Sequence, residues 1–269
     1  MRMRRDISDY LSKWPYDKSN SVRIIKGKDG RDKVQVRNPF GIEQFEADGR
    51  PDGKRPRRRE SLLDYYLGQL EDYRKVNGGL EIGFQLDSVA CEGLKEESSM
   101  FYHRYSNLFG VDFRRVLRDT NHNIQIFDLV YGYAVDSEER LYYEEWRPYI
   151  IRMNRDAQVH LYMNDKEYDR ALEHAVNAVA ALHKLPPVVL KLQNVPVHML
   201  HPEFAKQMQI SLHVLDERIK EIKLLKEKEK PKAEKIRKKL KKAVDSEDFE
   251  KAARLRDQIK SIGGDSRLN

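Results

Sequence analysis

A stripe of apolar residues towards the C-terminus most limits the folds open to this chain. The residues recur every three or four positions, which is the spacing of one face of an α-helix. They are Met208, Leu212, Leu215, Ile219, Ile222 and Leu225. Such a face must be covered, either by the chain's own helices or by a coiled coil with a second copy; we favour self-association. The charged run that follows contains Pro231, which predicts a hinge.

The composition indicates a polar chain with room for a core. Hydrophobic residues make up 39% of the 269 residues, charged residues 35%, and the formal net charge is +7. The single cysteine, Cys91, excludes an internal disulfide framework and favours a reducing compartment. No apolar run is long enough to span a membrane, and no apolar region follows the basic N-terminus. We therefore expect a cytoplasmic protein.

Alternation and turn residues predict a small β-sheet near the N-terminus. Strands are expected over 22–26, 33–37 and 41–47, and Asp29-Gly30 is a strong hairpin turn. Amphipathic helices are expected from Ser61 onwards. The predicted fold class is α+β, mainly helical: a three-stranded antiparallel meander, a helical domain, a long helix and a C-terminal helical hairpin. The predicted domains are 1–54, 55–200, 201–230 and 231–264.

The helical domain contains small residues at a spacing that lets two antiparallel helices approach closely. Tyr162, Tyr168, Ala171 and Ala178 have this spacing, and the stretch 155–186 resembles one tetratricopeptide unit. No clean second copy is visible at the period of about 34 residues that such repeats require. Both a repeat-like array and ordinary helical packing therefore remain open.

Two short amphipathic stretches flank a turn at Asp245-Ser246. The first carries Ile236, Leu240 and Ala243-Val244, and the second runs Asp248-Phe249-Glu250-Lys251-Ala252-Ala253-Arg254-Leu255-Arg256-Asp257-Gln258-Ile259. Alanines permit close helix approach, while the aromatic and aliphatic residues supply apolar area. Helices of about 12 residues are marginal alone, so we expect a partner surface to complete their core.

This hairpin, about 232–262, resembles the UVR motif shared by excinuclease subunits B and C. The resemblance implies a non-enzymatic adaptor that binds a protein carrying a matching hairpin, or a second copy of itself, in nucleotide-excision DNA repair or in stress response. The predicted partner-binding residues are Ile236, Leu240, Ala243, Phe249, Ala252, Ala253, Leu255, Arg256 and Ile259. Two positions depart from the motif: Val244 replaces an alanine and Glu247 replaces a leucine.

Uneven positive charge supports an alternative function, nucleic-acid binding. Between Asp216 and Lys260 there are 17 Lys and Arg against 11 Asp and Glu, and a second cluster lies near residue 55. Localised positive charge is the electrostatic footprint of nucleic-acid contact, although a solvated helix face has the same composition. The residues of the second cluster are Lys54, Arg55, Arg57, Arg58 and Arg59.

No catalytic pattern is apparent, and we expect neither an enzyme nor a cofactor. The phosphate-binding loop of an ATP-driven helicase is absent from the sequence. His198, His201 and Glu203 are close enough to suggest metal ligands, but no accompanying ligand pattern supports them, so no metal is predicted. The adjacent Glu144 and Glu145 are interpreted as a solvated helix face, and Cys91 as a half-buried core residue.

Overall fold

The computed structural model describes residues 6–185 and 202–261. Within them lie eight α-helices and one three-stranded sheet, which confirms the predicted mainly helical α+β class. The chain divides into two compact units, one ending at Glu144 and the other beginning at Glu145. The four predicted domain ranges stay predictions. None of the described helices is long and apolar enough to cross a lipid bilayer, and the cytoplasmic location also stays a prediction.

The sheet of the first unit is an antiparallel meander of β1 (Val22–Lys26), β2 (Asp32–Asn38) and β3 (Gly41–Glu46). Its registers align Ile24 with Val34 and Val34 with Phe45. Val34 and Val36 are buried, and Phe45 meets the ring of His103 edge-on at 5.6 Å. A small sheet needs such cover on one face to be stable.

Helices form the rest of the first unit. They are α1 (Ser8–Lys13), α2 (Leu62–Val76), α3 (Ser88–Leu108) and α4 (Phe113–Tyr133), followed by the start of α5 (Ser137–Asn164). Short 3₁₀ turns occupy Lys18–Asn20 and Pro56–Arg58. Ser61, Asp87 and Asp112 cap α2, α3 and α4, each accepting a hydrogen bond from a first-turn N–H.

Buried charges tie the loop after β3 to the helices. The Arg104 guanidinium donates two hydrogen bonds to Asp119, at 2.6 and 2.8 Å, and both side chains are fully buried. A further guanidinium nitrogen of Arg104 donates to the carbonyl oxygens of Glu46 and Gly49. Because the donors are satisfied by a carboxylate and two carbonyls, the buried charge is compensated.

Glu97 is a second buried anchor. Its carboxylate accepts hydrogen bonds from Arg50 at 2.7 Å and from the N–H groups of Leu62 and Leu63 at 2.8 and 3.1 Å. His122 lies 3.1 Å away and stacks on Phe101. Burial alone would raise the pKa of Glu97, but its hydrogen bonds with His122 and with the N–H groups of Leu62 and Leu63 hold it below its ordinary value.

Two sequence interpretations in this region need correction. Glu144 is fully buried rather than solvated, and only Glu145 is partly exposed. A helix exposes adjacent residues on faces about 100° apart, so one glutamate can point inwards while the next meets solvent. Cys91 is also more buried than expected, at 1% exposure. Burial raises the pKa of its thiol to about 11.

Three helices pack together in the second unit. These are the C-terminal part of α5, α6 (Tyr168–His183) and α7 (Pro202–Asp245). α7 runs parallel to α5. Ser211 donates to the Pro148 carbonyl, and Arg218, further along α7, donates to Asp156, further along α5. α7 runs antiparallel to α6, since Leu215 packs with Leu182 whereas Ile222 packs with Ala171 and Ala175.

This packing overturns the favoured interpretation of the apolar stripe. Leu215 and Ile222 are fully buried, and Met208, Leu212, Ile219 and Leu225 pack around the same clusters within the second unit. The stripe is therefore covered by the chain's own helices, not by a second copy. The three-helix packing does not test whether the stretch 155–186 is a tetratricopeptide-like repeat.

The predicted hinge at Pro231 is also wrong. α7 continues through this position as one helix of 44 residues. An interior proline costs a helix about 3 kcal/mol, but both flanks are held in helical form by packing. Ile222 is buried before the proline, and Leu240 packs in the hairpin after it. Good helix-forming Lys, Glu and Ala residues fill the sequence between them.

The first unit should depend strongly on the buried pair of Arg104 and Asp119. We expect Asp119→Asn to lower the free energy of unfolding by about 3–5 kcal/mol, because it leaves a buried guanidinium uncompensated. Urea unfolding followed by circular dichroism measures this loss. Glu71→Gln removes a carboxylate from an exposed pair with Lys75 in the same unit and should change the transition far less. Equal losses of stability from the two substitutions would contradict the strong dependence on the buried pair.

Candidate functional site: the C-terminal hairpin

A tight turn joins α7 to α8 (Phe249–Ser261) and sets the geometry of the hairpin. The N–H of Glu247 donates to the Val244 carbonyl at 3.0 Å, and that of Asp248 donates to the Ala243 carbonyl at 2.9 Å. Glu247 has the left-handed φ of 55°. This is the Schellman ending of a helix, with Glu247 where glycine is usual. Asp248 then caps α8 by accepting from the Lys251 N–H.

The inner face of the hairpin is a small apolar cluster. Ala243, Ala252 and Leu255 are buried, and Ile236 and Leu240 pack against them. Ile259 is also buried, at 6% exposure. Five of the nine predicted partner-binding residues therefore pack between the two helices, and a sixth, Ile259, is buried as well.

The other three predicted residues lie on the outer face of α8. Phe249 is 70% exposed, and Ala253 and Arg256 are exposed as well. Their spacing of four and then three residues places them on one side of the helix. These three are the exposed members of the predicted set, and a partner can reach them without opening the hairpin.

The structure shows a feature that the sequence analysis missed: the turn between α5 and α6 repeats the turn between α7 and α8. The N–H of Lys166 donates to the Met163 carbonyl, and that of Glu167 donates to the Tyr162 carbonyl. Lys166 has φ of 59°. Each of these bonds has a counterpart in the hairpin of α7 and α8, and the same number of residues separates every pair of equivalent positions.

The sequences at the two turns are also similar. Glu167-Tyr168-Asp169-Arg170-Ala171 corresponds to Asp248-Phe249-Glu250-Lys251-Ala252. The shared order is acid, aromatic, acid, base and alanine, and each aromatic residue begins its helix. Five positions are too few to stand out by sequence alone, whereas the matching turn hydrogen bonds identify the correspondence.

The two hairpins differ in what covers the second helix. Tyr168 is only 7% exposed, and Ala175 is fully buried, because Ile219, Ile222 and Leu225 of α7 pack over α6. The corresponding residues of α8 are Phe249 and Arg256, both exposed. Among the described residues no third helix covers them. The C-terminal hairpin thus has the first two helices of a three-helix packing.

The predicted nucleic-acid cluster lies in the first unit, between β3 and α2. Lys54, Arg55, Arg57, Arg58 and Arg59 are all exposed. Arg55 pairs with Glu60, and the guanidinium of Arg57 lies 5.9 Å from the centre of the Tyr65 ring. The structure therefore brings these five side chains to one exposed loop.

Other candidate sites have little support in the part of the chain described. No group of three potential metal ligands occurs there, and His198 and His201 lie outside the described residues. Sequence reasoning missed an open cleft of about 390 Å³ lined by residues 81–85, 132–135 and Arg140. Its lining includes exposed Ile82 and Val135. Gly83 and Gly132, which line the cleft, were the sequence feature that could have indicated it.

Comparison with known proteins identifies the hairpin. Residues 232–265 match the UVR family, described as the UvrB/uvrC motif, which confirms the predicted resemblance. This motif is associated with DNA-repair proteins and with protein and DNA interactions. No curated protein and no solved structure matches the chain. The matched residues are a small part of the chain.

The left-handed residue in the hairpin turn allows a local test. Glu247→Gly should stabilise α8 by about 0.5–1 kcal/mol, because glycine adopts positive φ without the steric cost of a side chain. Hydrogen exchange of the α8 amides should slow accordingly. Ser246→Gly in the same turn is the control: Ser246 has no positive φ, and glycine there should speed exchange. Identical effects would contradict the turn assignment.

Proposed function

We propose that this chain is a non-enzymatic adaptor that receives a helix from a protein partner on the outer face of α8. The observation that carries the proposal is the exposure of Phe249, against the burial of Tyr168 at the same place in the preceding hairpin. A large aromatic side chain exposed on a helix is a strong candidate for a binding hot spot. The motif favours nucleotide-excision repair as the pathway, and stress response is the second.

The packing of α7 on α6 supports a direction for the docked helix. There the covering helix runs antiparallel, places Ile219, Ile222 and Leu225 over the aromatic and alanine face, and pairs Lys226 with Asp169. We infer the same arrangement on α8. The partner helix would cover Phe249 and Ala253 with apolar side chains and bring a basic residue towards Glu250.

Arg256 places a requirement on the partner helix that has no counterpart in the packing of α7 on α6. It occupies the position of the buried Ala175, so an incoming helix must place a carboxylate beside it. A matching hairpin fulfils both charge requirements: in an antiparallel pair, Glu250 of each helix approaches the residue equivalent to Arg256 of the other. This reciprocity supports a second UVR hairpin, or a second copy of this one, as the partner.

Truncating the exposed aromatic side chain should separate binding from stability. We expect Phe249→Ala to weaken partner binding by about 3–5 kcal/mol when the ring is buried in the complex. Its effect on unfolding should be within about 0.5 kcal/mol, as for other exposed positions. Sedimentation equilibrium tests self-association, and titration calorimetry tests the UvrB and UvrC proteins of the same organism.

Leu255→Ala is the matched control for this truncation. Leu255 is 8% exposed and packs inside the hairpin, so its loss should destabilise α8 before it affects any complex. Binding that is unchanged by Phe249→Ala, or absent for both the second copy and the motif-bearing proteins, would overturn the adaptor proposal.

The unreactive native cysteine permits a site-specific test of the docking face. Because Cys91 is buried with a raised pKa, Ala253→Cys would supply the one readily labelled thiol among the described residues. A photo-crosslinker on this cysteine should capture the partner. The same label on Lys251→Cys, exposed on the opposite side of α8, should not. Equal capture from both positions would contradict docking on the outer face.

A further inference from the structure

The loop between β3 and α2 concentrates positive charge. Five of the six residues from Lys54 to Arg59 are basic, and all five basic side chains are exposed. Arg57 and Arg58 also have left-handed φ values of 51° and 63°. The loop therefore projects several guanidinium groups from one short stretch of backbone.

A single buried carboxylate holds both ends of this loop. Glu97 binds the Arg50 guanidinium before the loop and the Leu62 and Leu63 N–H groups after it. Asp52 accepts from the Lys54 N–H and from Arg50, while the Arg58 and Arg59 N–H groups donate to carbonyls within the loop. These bonds fix the loop in place, so a ligand would meet a preorganised surface.

Arg55 pairs with Glu60, but within the described ranges the other three arginines of this loop lack a carboxylate partner that several first-unit arginines have. Arg50, Arg104 and Arg115 each form an ion pair with a carboxylate. Arg57, Arg58 and Arg59 have no ion pair among the described residues. Nor can the nearby start of α2 take up an anion, since Glu97 and Ser61 already occupy its first N–H groups. Three guanidinium groups thus remain for an external anion.

We propose that this loop binds the phosphodiester backbone of a nucleic acid. Guanidinium groups pair with phosphate through two parallel hydrogen bonds, and several closely spaced cations match the repeated charge of a strand. An anionic membrane is the competing polyanion. Surface binding to membranes adds apolar anchors to the cations, whereas no large apolar residue between Phe40 and Val76 is among the exposed ones. The site is independent of the hairpin.

Salt-dependent binding tests the proposal with the full-length chain. The probes are a fluorescent 20-nucleotide single strand, the corresponding duplex, and phosphatidylserine vesicles. The variant combines Arg57→Asn, Arg58→Asn and Arg59→Gln, since asparagine tolerates left-handed φ. Loss of three phosphate contacts should reduce the slope of log K against log salt by about 2 for the single strand and about 3 for the duplex. At low salt its affinity should fall more than about tenfold.

The control variant removes the same charge from the second unit. Lys238→Gln, Lys239→Gln and Lys241→Gln replace three exposed lysines of α7 and should change the slope by less than one. An unchanged circular dichroism melt establishes that either variant is folded. Equal losses from both variants would overturn the loop site, as would no oligonucleotide binding by the native chain. Arginine-dependent binding of vesicles alone would replace nucleic acid by a membrane.

Discussion

The buried carboxylate of Glu97 joins separate parts of the first unit. It lies on α3, yet its partners come from the loop after β3, the first turn of α2 and α4. Removing any partner would leave part of a buried anion unsatisfied, which is costly in a low-dielectric interior. One side chain therefore fixes where α2 begins, where the preceding loop ends, and how both are held on the helices.

The second unit is organised by repetition rather than by buried charge. The two interhelical turns close with the same hydrogen bonds and have a residue with left-handed φ at the same position, although neither has glycine there. Around the first turn the packing is complete because α7 covers α6. Around the second turn the chain supplies two helices only, among the residues described. A surface built to the same pattern but left exposed is the physical basis of the binding role proposed for the hairpin.

Local patterns predicted the elements well. Alternation and Asp29-Gly30 identified the sheet, and apolar spacing with alanine and aromatic residues identified the helices and the hairpin. Long-range placement was beyond the sequence. Nothing local distinguishes Glu144 from Glu145, or shows that α6 rather than a second copy covers Ile222. The separation of Phe249 from Leu255 into outer and inner faces likewise needed the position of α7.

The continuity of α7 has a consequence for how the two hairpins are oriented within the second unit. α7 packs on α6 of the first hairpin and forms the first helix of the second, without a break at Pro231. Each residue turns a helix by about 100° and advances it by about 1.5 Å. Inserting or deleting one residue between Leu225 and Ile236 would therefore rotate the outer face of α8 by more than a quarter of a circle while leaving the contacts within each hairpin intact. The number of residues in this segment of α7 therefore sets the rotation of the second hairpin relative to the first.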